Sequence, residues 1–349
     1  MSRREFGCII PAALAAWPVK TMAQTSGTVD AIANYSRRDR QALLEAGAKR
    51  EHGLLLYTTG TQIEPLIHGF ERKYPYLKVT VQRGPQSDIA RRAVEEYRAG
   101  YRKIDMFELS SEGLILIRDA HILQPFRSPE VAGFDAAAIE PGHHWVVVRE
   151  SYIGVGSNTK AIPPARGPGT YEDLLAPEWR GRMAMSGSVS TAANFVATLV
   201  LTHGEDFVRR LGEQNIRIYP VTARALANLM ISGEVTLSPT IYNSHVEVSA
   251  ARGAPLRWVA PGPVPVTDTA VALARAAPSP HAAMLLADYL MSEDGQRIYG
   301  QLGYGSARRD INRQTGVAPV KKLYLANRPD YVREFAQWSK LYRDVFLRR

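Results

Sequence analysis

Residues 54–109 read LLLYTTGTQIEPLIHGFERKYPYLKVTVQRGPQSDIARRAVEEYRAGYRKIDMFEL, and the order of patterns within them decides the fold class. Leu54–Tyr57 is a short apolar run between Gly53 and the polar loop Thr58-Thr59-Gly60-Thr61, as expected of a buried strand. Ile63, Leu66, Ile67 and Phe70 then recur at helical spacing up to Lys73. Lys78–Gln82 alternates as a strand, Asp88–Arg98 is patterned as a helix, and Ile104–Leu109 is a third strand ending in Ser110-Ser111. Strand, loop and helix in repeated alternation predict an α/β sheet.

Working outward, a helix is expected over Ser36–Glu51, broken by Gly53. Residues 1–24 have a different layout: basic Arg3-Arg4, an apolar run from Phe6 to Trp17, then small residues up to Ala23. That is the plan of an export signal, and Ser2–Phe6 (SRREF) resembles a twin-arginine signal. The run is shorter than the roughly 18 apolar residues that span a membrane. Cleavage after Ala23 removes Cys8, the only cysteine, so no intramolecular disulfide or CxxC chemistry is expected. A periplasmic location fits a cysteine-free mature chain.

Downstream the alternation resumes. Strands are expected at Trp145–Val148, Ile153–Val155, Met183–Met185, Val235–Tyr242, Leu256–Val259 and Ala270–Leu273. Prolines and glycines between Gly154 and Gly169 read as loops. Helices are expected after SGSVST, over Asp206–Gln214, over Ala223–Ser232 with Thr222 as N-cap, and over His281–Met291 and Gly295–Gly300. Tyr331, Phe335, Trp338 and Tyr342 follow helical spacing and read as core. The 349 residues, 45% apolar and 22% charged, suit about two globular domains.

Motifs narrow the chemistry. GxSxG, HExxH and a Walker loop are absent, and GYGSAR at Gly303–Arg308 lacks the third glycine of a dinucleotide fingerprint. The net charge of +9 is scattered, which with export argues against nucleic acid. His143-His144 reads as structural, because neighbours on a strand face opposite ways.

Several pieces stand in a familiar order: LLLYTTGT, FERKYPYLKVT, IDMFELSS, VGSNTK, TYEDLLAPEWRGRMAMSGSVST, ISGEV, and APSPHAAMLLADYLMSEDGQRIY from Ala277 to Tyr299. This order resembles the extracellular solute-binding proteins of ABC importers, ferric-iron-type branch, from about Leu54 to Gly305. The resemblance implies an α/β fold of the two-lobed type II periplasmic-binding-protein kind, with a mixed sheet flanked by helices in each lobe. Lobe 1 would be 53–149 plus 266–349 and lobe 2 would be 150–265. Two crossing strands, near Val146–Gly156 and Val259–Asp268, would form the hinge. It also implies a receptor, not an enzyme, with no cofactor. The receptor would be a monomer that passes a small-molecule ligand to an inner-membrane ABC permease. An enzyme or a sensory binding module on the same scaffold are the alternatives.

Ligands of open α/β sheets sit beyond the carboxyl ends of strands. That rule selects Thr58, Thr59, Gly60, Arg83, Ser110 and Ser111, then Ser188, Ser190 and Thr191 at a helix start, then Tyr242 and Asn243. Arg224 joins them, because a cation in a first helical turn opposes the helix dipole and wants another purpose. In the iron-binding relatives a tyrosine pair, a histidine and a glutamate hold the metal. Those positions correspond here to Ser244-His245, Thr61 and Ser110. Ferric iron prefers anionic oxygen, so these replacements favour an organic or oxyanionic solute; if iron binds, Tyr242 and His245 are its candidates.

Overall fold

The computed structural model describes residues 29–60, 62–314, 320–328 and 330–347. The expected export signal and Thr61 lie outside the described residues. After α1 (Arg40–Glu51) come β1 (Gly53–Thr58), α2 (Glu64–Lys73), β2 (Lys78–Arg83), α3 (Gln86–Arg98), β3 (Met106–Leu109) and α4 (Ser111–Asp119). The predicted alternation is therefore present, with α4 an addition to it. β1 pairs in parallel with both β2 and β3, and α2 buries Leu66, Ile67 and Phe70. Ser110 starts α4 as its N-cap, its hydroxyl accepting from the Gly113 N–H.

The sheet continues through β4 (Leu123–Gln124) and β5 (Trp145–Asn158), then β6 (Ala184–Ser186), α5 (Val189–His203), α6 (Glu205–Gly212), β7 (Arg217–Tyr219) and α7 (Ala223–Ser232). β8 (Leu237–Tyr242), α8 (Asn243–Ala250), β9 (Leu256–Val259), β10 (Val264–Ala274), α9 (Pro280–Met291) and α10 (Glu293–Gln301) follow. The chain ends in α11 (Arg309–Gln314), β11 (Lys322–Leu323) and α12 (Tyr331–Tyr342). The strand order is β2-β1-β3-β10-β5-β8, with β9 also on β5.

β5 and β10 make this a two-lobed molecule. Their antiparallel pairing runs from Trp145–Ala272 to Tyr152–Val266, beside β3. β5 then continues into a second layer, pairing with β8 and β9. A smaller core of Leu226, Ala227, Met230, Ile241, Val246 and Leu256 lies under that second layer.

The sequence pattern divides β5 into two strands, Trp145–Val148 and Ile153–Val155. The strand is unbroken, because a Cβ at Gly154 would lie 2.6 Å from both the Val259 carbonyl oxygen and the Trp258 ring. Glycine is there for close backbone approach, not for a turn. Gly295 is similar: a Cβ would come within 2.2 Å of the Tyr289 carbonyl, while Ser292 caps the next helix. Tyr331, Trp338 and Tyr342 are buried, as their spacing predicts, and α12 packs on α5. The turn after α12 brings Val345 against Gly212 at the end of α6.

Candidate functional site

A polar cleft of about 220 Å³ opens where β5 and β10 cross between the lobes. Its walls include Arg149 and Ser151 from β5, Thr267 and Thr269 from β10, Tyr242 from the end of β8, and Tyr304. Ser244 and His245 come from the first turn of α8. Strand pairing places Arg149 opposite Thr269 and Ser151 opposite Thr267, so these side chains share one face. The register slips between Thr269 and Ala270, a bulge that bends the ribbon at the Arg149 end.

Arg149 is held rigidly. Its Nε donates to Glu108 Oε1 at 3.0 Å, and its guanidinium lies 4.7 Å from the centre of the Tyr304 ring. Glu108 is fully buried and also accepts from the Tyr299 hydroxyl at 3.4 Å and from Thr58 Oγ1. Among the described residues the Nη atoms of Arg149 have no hydrogen-bond partner. A guanidinium braced by its Nε and with open Nη donors is built for an oxyanion. Thr267 Oγ1 and His245 Nδ1 are likewise buried and unpartnered. Burial, with the nearby Arg224 cation, pushes the His245 imidazole below its ordinary pKa, which favours the neutral ring.

Asp268 forms part of the cleft edge. It accepts from the Ser111 N–H at 2.9 Å and from the Ser111 hydroxyl at 2.7 Å. Burial pushes its carboxyl up to about 6, although those two bonds pull the other way. Glu150 is buried, with its carboxylate accepting from Lys322 Nζ at 2.6 Å, from Tyr152 OH at 2.6 Å and from Tyr324 OH.

Of the residues selected from sequence, Tyr242 lines this cleft, as does the conditional candidate His245. Their rings meet edge-on at 5.3 Å. The Tyr242 hydroxyl is 3.0 Å from Thr191 Oγ1, which bonds to Ser188 Oγ, the N-cap of α5. Ser190 reaches Glu112 at 3.4 Å, bringing the first turns of α4 and α5 together. Thr58, Thr59 and Gly60 close on Glu108: Thr58 Oγ1 donates to it, the Thr59 N–H reaches its carbonyl, and the Gly60 N–H bonds Thr58. Asn243 is engaged in scaffolding, accepting from the Tyr152 N–H and donating to Glu247. Ser110 accepts from Gln86 Nε2. Arg83 pairs with Glu64 on the surface. Arg224 does not line the cleft; it ties α7 to α8 through the His245 carbonyl and Ser249, a structural role in place of the ligand contact expected of it. His144 pairs with Glu140, while His143 precedes the strand with a φ of 60°. Among the described residues no three imidazole, thiol or carboxylate groups cluster as a metal site.

Sequence reasoning missed Arg149, Ser151, Thr267, Thr269 and Tyr304. A faint mark was there: three consecutive charged or hydroxyl residues interrupt each of the apolar runs VVVRESY and VPVTDTAV.

A family model described as bacterial extracellular solute-binding protein matches residues 117–315. The Fe(3+)-binding periplasmic protein of Serratia marcescens is 25% identical over 161 residues, which are 45% of this chain and 47% of that protein. The chain thus spans about half the length of that relative. Among solved structures, a Trichodesmium protein (IdiA, FutA) in complex with iron and citrate superposes with a TM-score of 0.71 at 19% identity, covering 84% of this chain and 99% of that one. The open ferric iron-binding protein A of Mannheimia haemolytica also gives 0.71, at 17% identity, covering 84% of this chain and 98% of that one.

Proposed function

The chain belongs to the bacterial extracellular solute-binding proteins, and from that premise we propose that it captures a small anionic solute between its lobes for an inner-membrane ABC permease. Lobe 1 (53–149 plus 266–349) and lobe 2 (150–265) close on the solute as a monomer, after export directed by residues 1–23. The observation that carries the ligand class is Arg149, braced by Glu108 and Tyr304 with its Nη donors open to the cleft. Hydroxyls of Ser151, Thr267 and Tyr242 supply further polar contacts.

The test is a thermal-shift screen of the mature protein against carboxylates, phosphonates, phosphate esters and ferric salts, followed by titration calorimetry. The anion that shifts the melt is expected to bind at least about tenfold more weakly to Arg149→Lys, which keeps the charge but loses the planar fork. Unchanged affinity in that variant overturns the assignment. Ferric iron is the second reading, favoured by the Tyr242 phenol and the unpartnered His245 Nδ1 in the same cleft, and by the names of the relatives. Ferric binding that survives Arg149→Lys but is lost in Tyr242→Phe decides for it.

A further inference from the structure

A second cavity, of about 480 Å³, lies away from the cleft between the entry to α1 and the segment around Phe126–Val131. Tyr35, Phe126 and Val131 give it apolar walls, and Arg37, Arg38 and Arg127 stand around it. The three arginines are exposed, and among the described residues none has an ion pair. The neighbouring carboxylates are all engaged. Asp288 is held by Arg40 and Ser128, Asp39 accepts from Tyr35 OH, and Glu130 pairs with Arg308.

The base of Arg127 is fixed on both sides. Its N–H donates to the Ala33 carbonyl at 2.9 Å, and its own carbonyl accepts from Arg40 Nη2 at 3.3 Å. Arg40 itself is buried and locked onto Asp288. The cavity volume falls in the range of about 300–1,000 Å³ usual for small-molecule sites. Arg37 lies 5.9 Å from the centre of the Tyr35 ring, and exposed guanidinium groups without carboxylate partners beside apolar walls select an anion that carries an apolar body.

We propose that this cavity is a second binding site, for an organic anion with an aromatic or aliphatic body, independent of the cleft. The test is a fluorescence titration of the mature protein with 1-naphthalenesulfonate, with sodium sulfate and 1-naphthol as the separated halves of the probe. One saturable site is expected, with each half at least about tenfold weaker than the whole probe. The double variant Arg37→Gln/Arg127→Gln removes exposed side chains and should melt like the parent, yet bind the probe at least about tenfold more weakly. Ser36→Glu keeps every arginine and adds a negative charge to the cavity, so it should also weaken binding. Unchanged affinity in both variants overturns the site. Probe binding lost in Arg149→Lys but kept in the double variant places the probe in the cleft, which also overturns the second site while leaving the proposed function standing.

Discussion

Arg149 and Glu150 are adjacent on β5, and the pleat sends them to opposite faces of the ribbon that β5 makes with β10. On the Arg149 face, with Ser151, Thr267 and Thr269, the Nη donors and Thr267 Oγ1 lack hydrogen-bond partners among the described residues. On the Glu150 face, opposite Asp268, every carboxylate oxygen has a donor: Tyr324 and Lys322 with Tyr152 for Glu150, and Ser111 for Asp268. One ribbon therefore carries a locked face and an open one. A buried polar atom without a partner is costly, so leaving several beside a cleft makes sense where a ligand completes them.

The contrast is sharpest for Lys322→Met. It strands the Glu150 carboxylate in a place with no exposure, and should cost about 3–5 kcal/mol in urea denaturation. A loss below about 1 kcal/mol, the level of a surface pair, would mean that water reaches the locked face. Tyr324→Phe removes one donor to the same carboxylate and should cost about 1.5–3 kcal/mol.

Asp268 tests the border between the faces. With its carboxyl pushed up to about 6, the folded chain holds a proton that the unfolded chain releases at lower pH. Its contribution to stability is therefore full below the ordinary aspartate range and is lost as pH rises through about 6. Protonation also removes a negative charge beside the cleft, so affinity for a carboxylate or sulfonate should rise severalfold from pH 7.5 down to about 5. Asp268→Asn should flatten that profile in calorimetric titrations; an unaltered slope would assign the dependence to another group.

The smallest stability effect belongs to the open face. Thr267→Val replaces an unpartnered hydroxyl by a methyl group and should leave stability within about 0.5 kcal/mol of the parent. Anion affinity should nonetheless fall a few-fold. A large loss of stability would show that the hydroxyl belongs to the scaffold.

Much of the scaffold was legible. The runs around β1, β2 and β3 announce strands with intervening helices, which the fold pairs in parallel, and Thr222 is the cap its position predicts, accepting from the Ala225 N–H at 3.2 Å. Thr170 and Asp173 cap each other, the Thr170 hydroxyl accepting from the Asp173 N–H and the Asp173 carboxylate from the Thr170 N–H. The site was legible only in part. Of the strand-end residues selected for the ligand, Tyr242 lines the cleft, whereas Thr58 and Asn243 spend their polar atoms on Glu108 and Tyr152. Arg149 went unmarked because a single arginine within an apolar strand looks the same whether it faces water, a carboxylate or a ligand.

The sequence by itself determined the alternation of elements, their caps and the family pattern, because periodicity and capping act over about four residues along the chain. Only the tertiary structure decided which polar groups are satisfied. Arg149 meets Glu108 across 41 residues and Tyr324 meets Glu150 across 174, while Thr267 meets nothing among the described residues. Partnership at that range depends on how β3, β5, β10 and the C-terminal segment are brought together, and no local pattern encodes it.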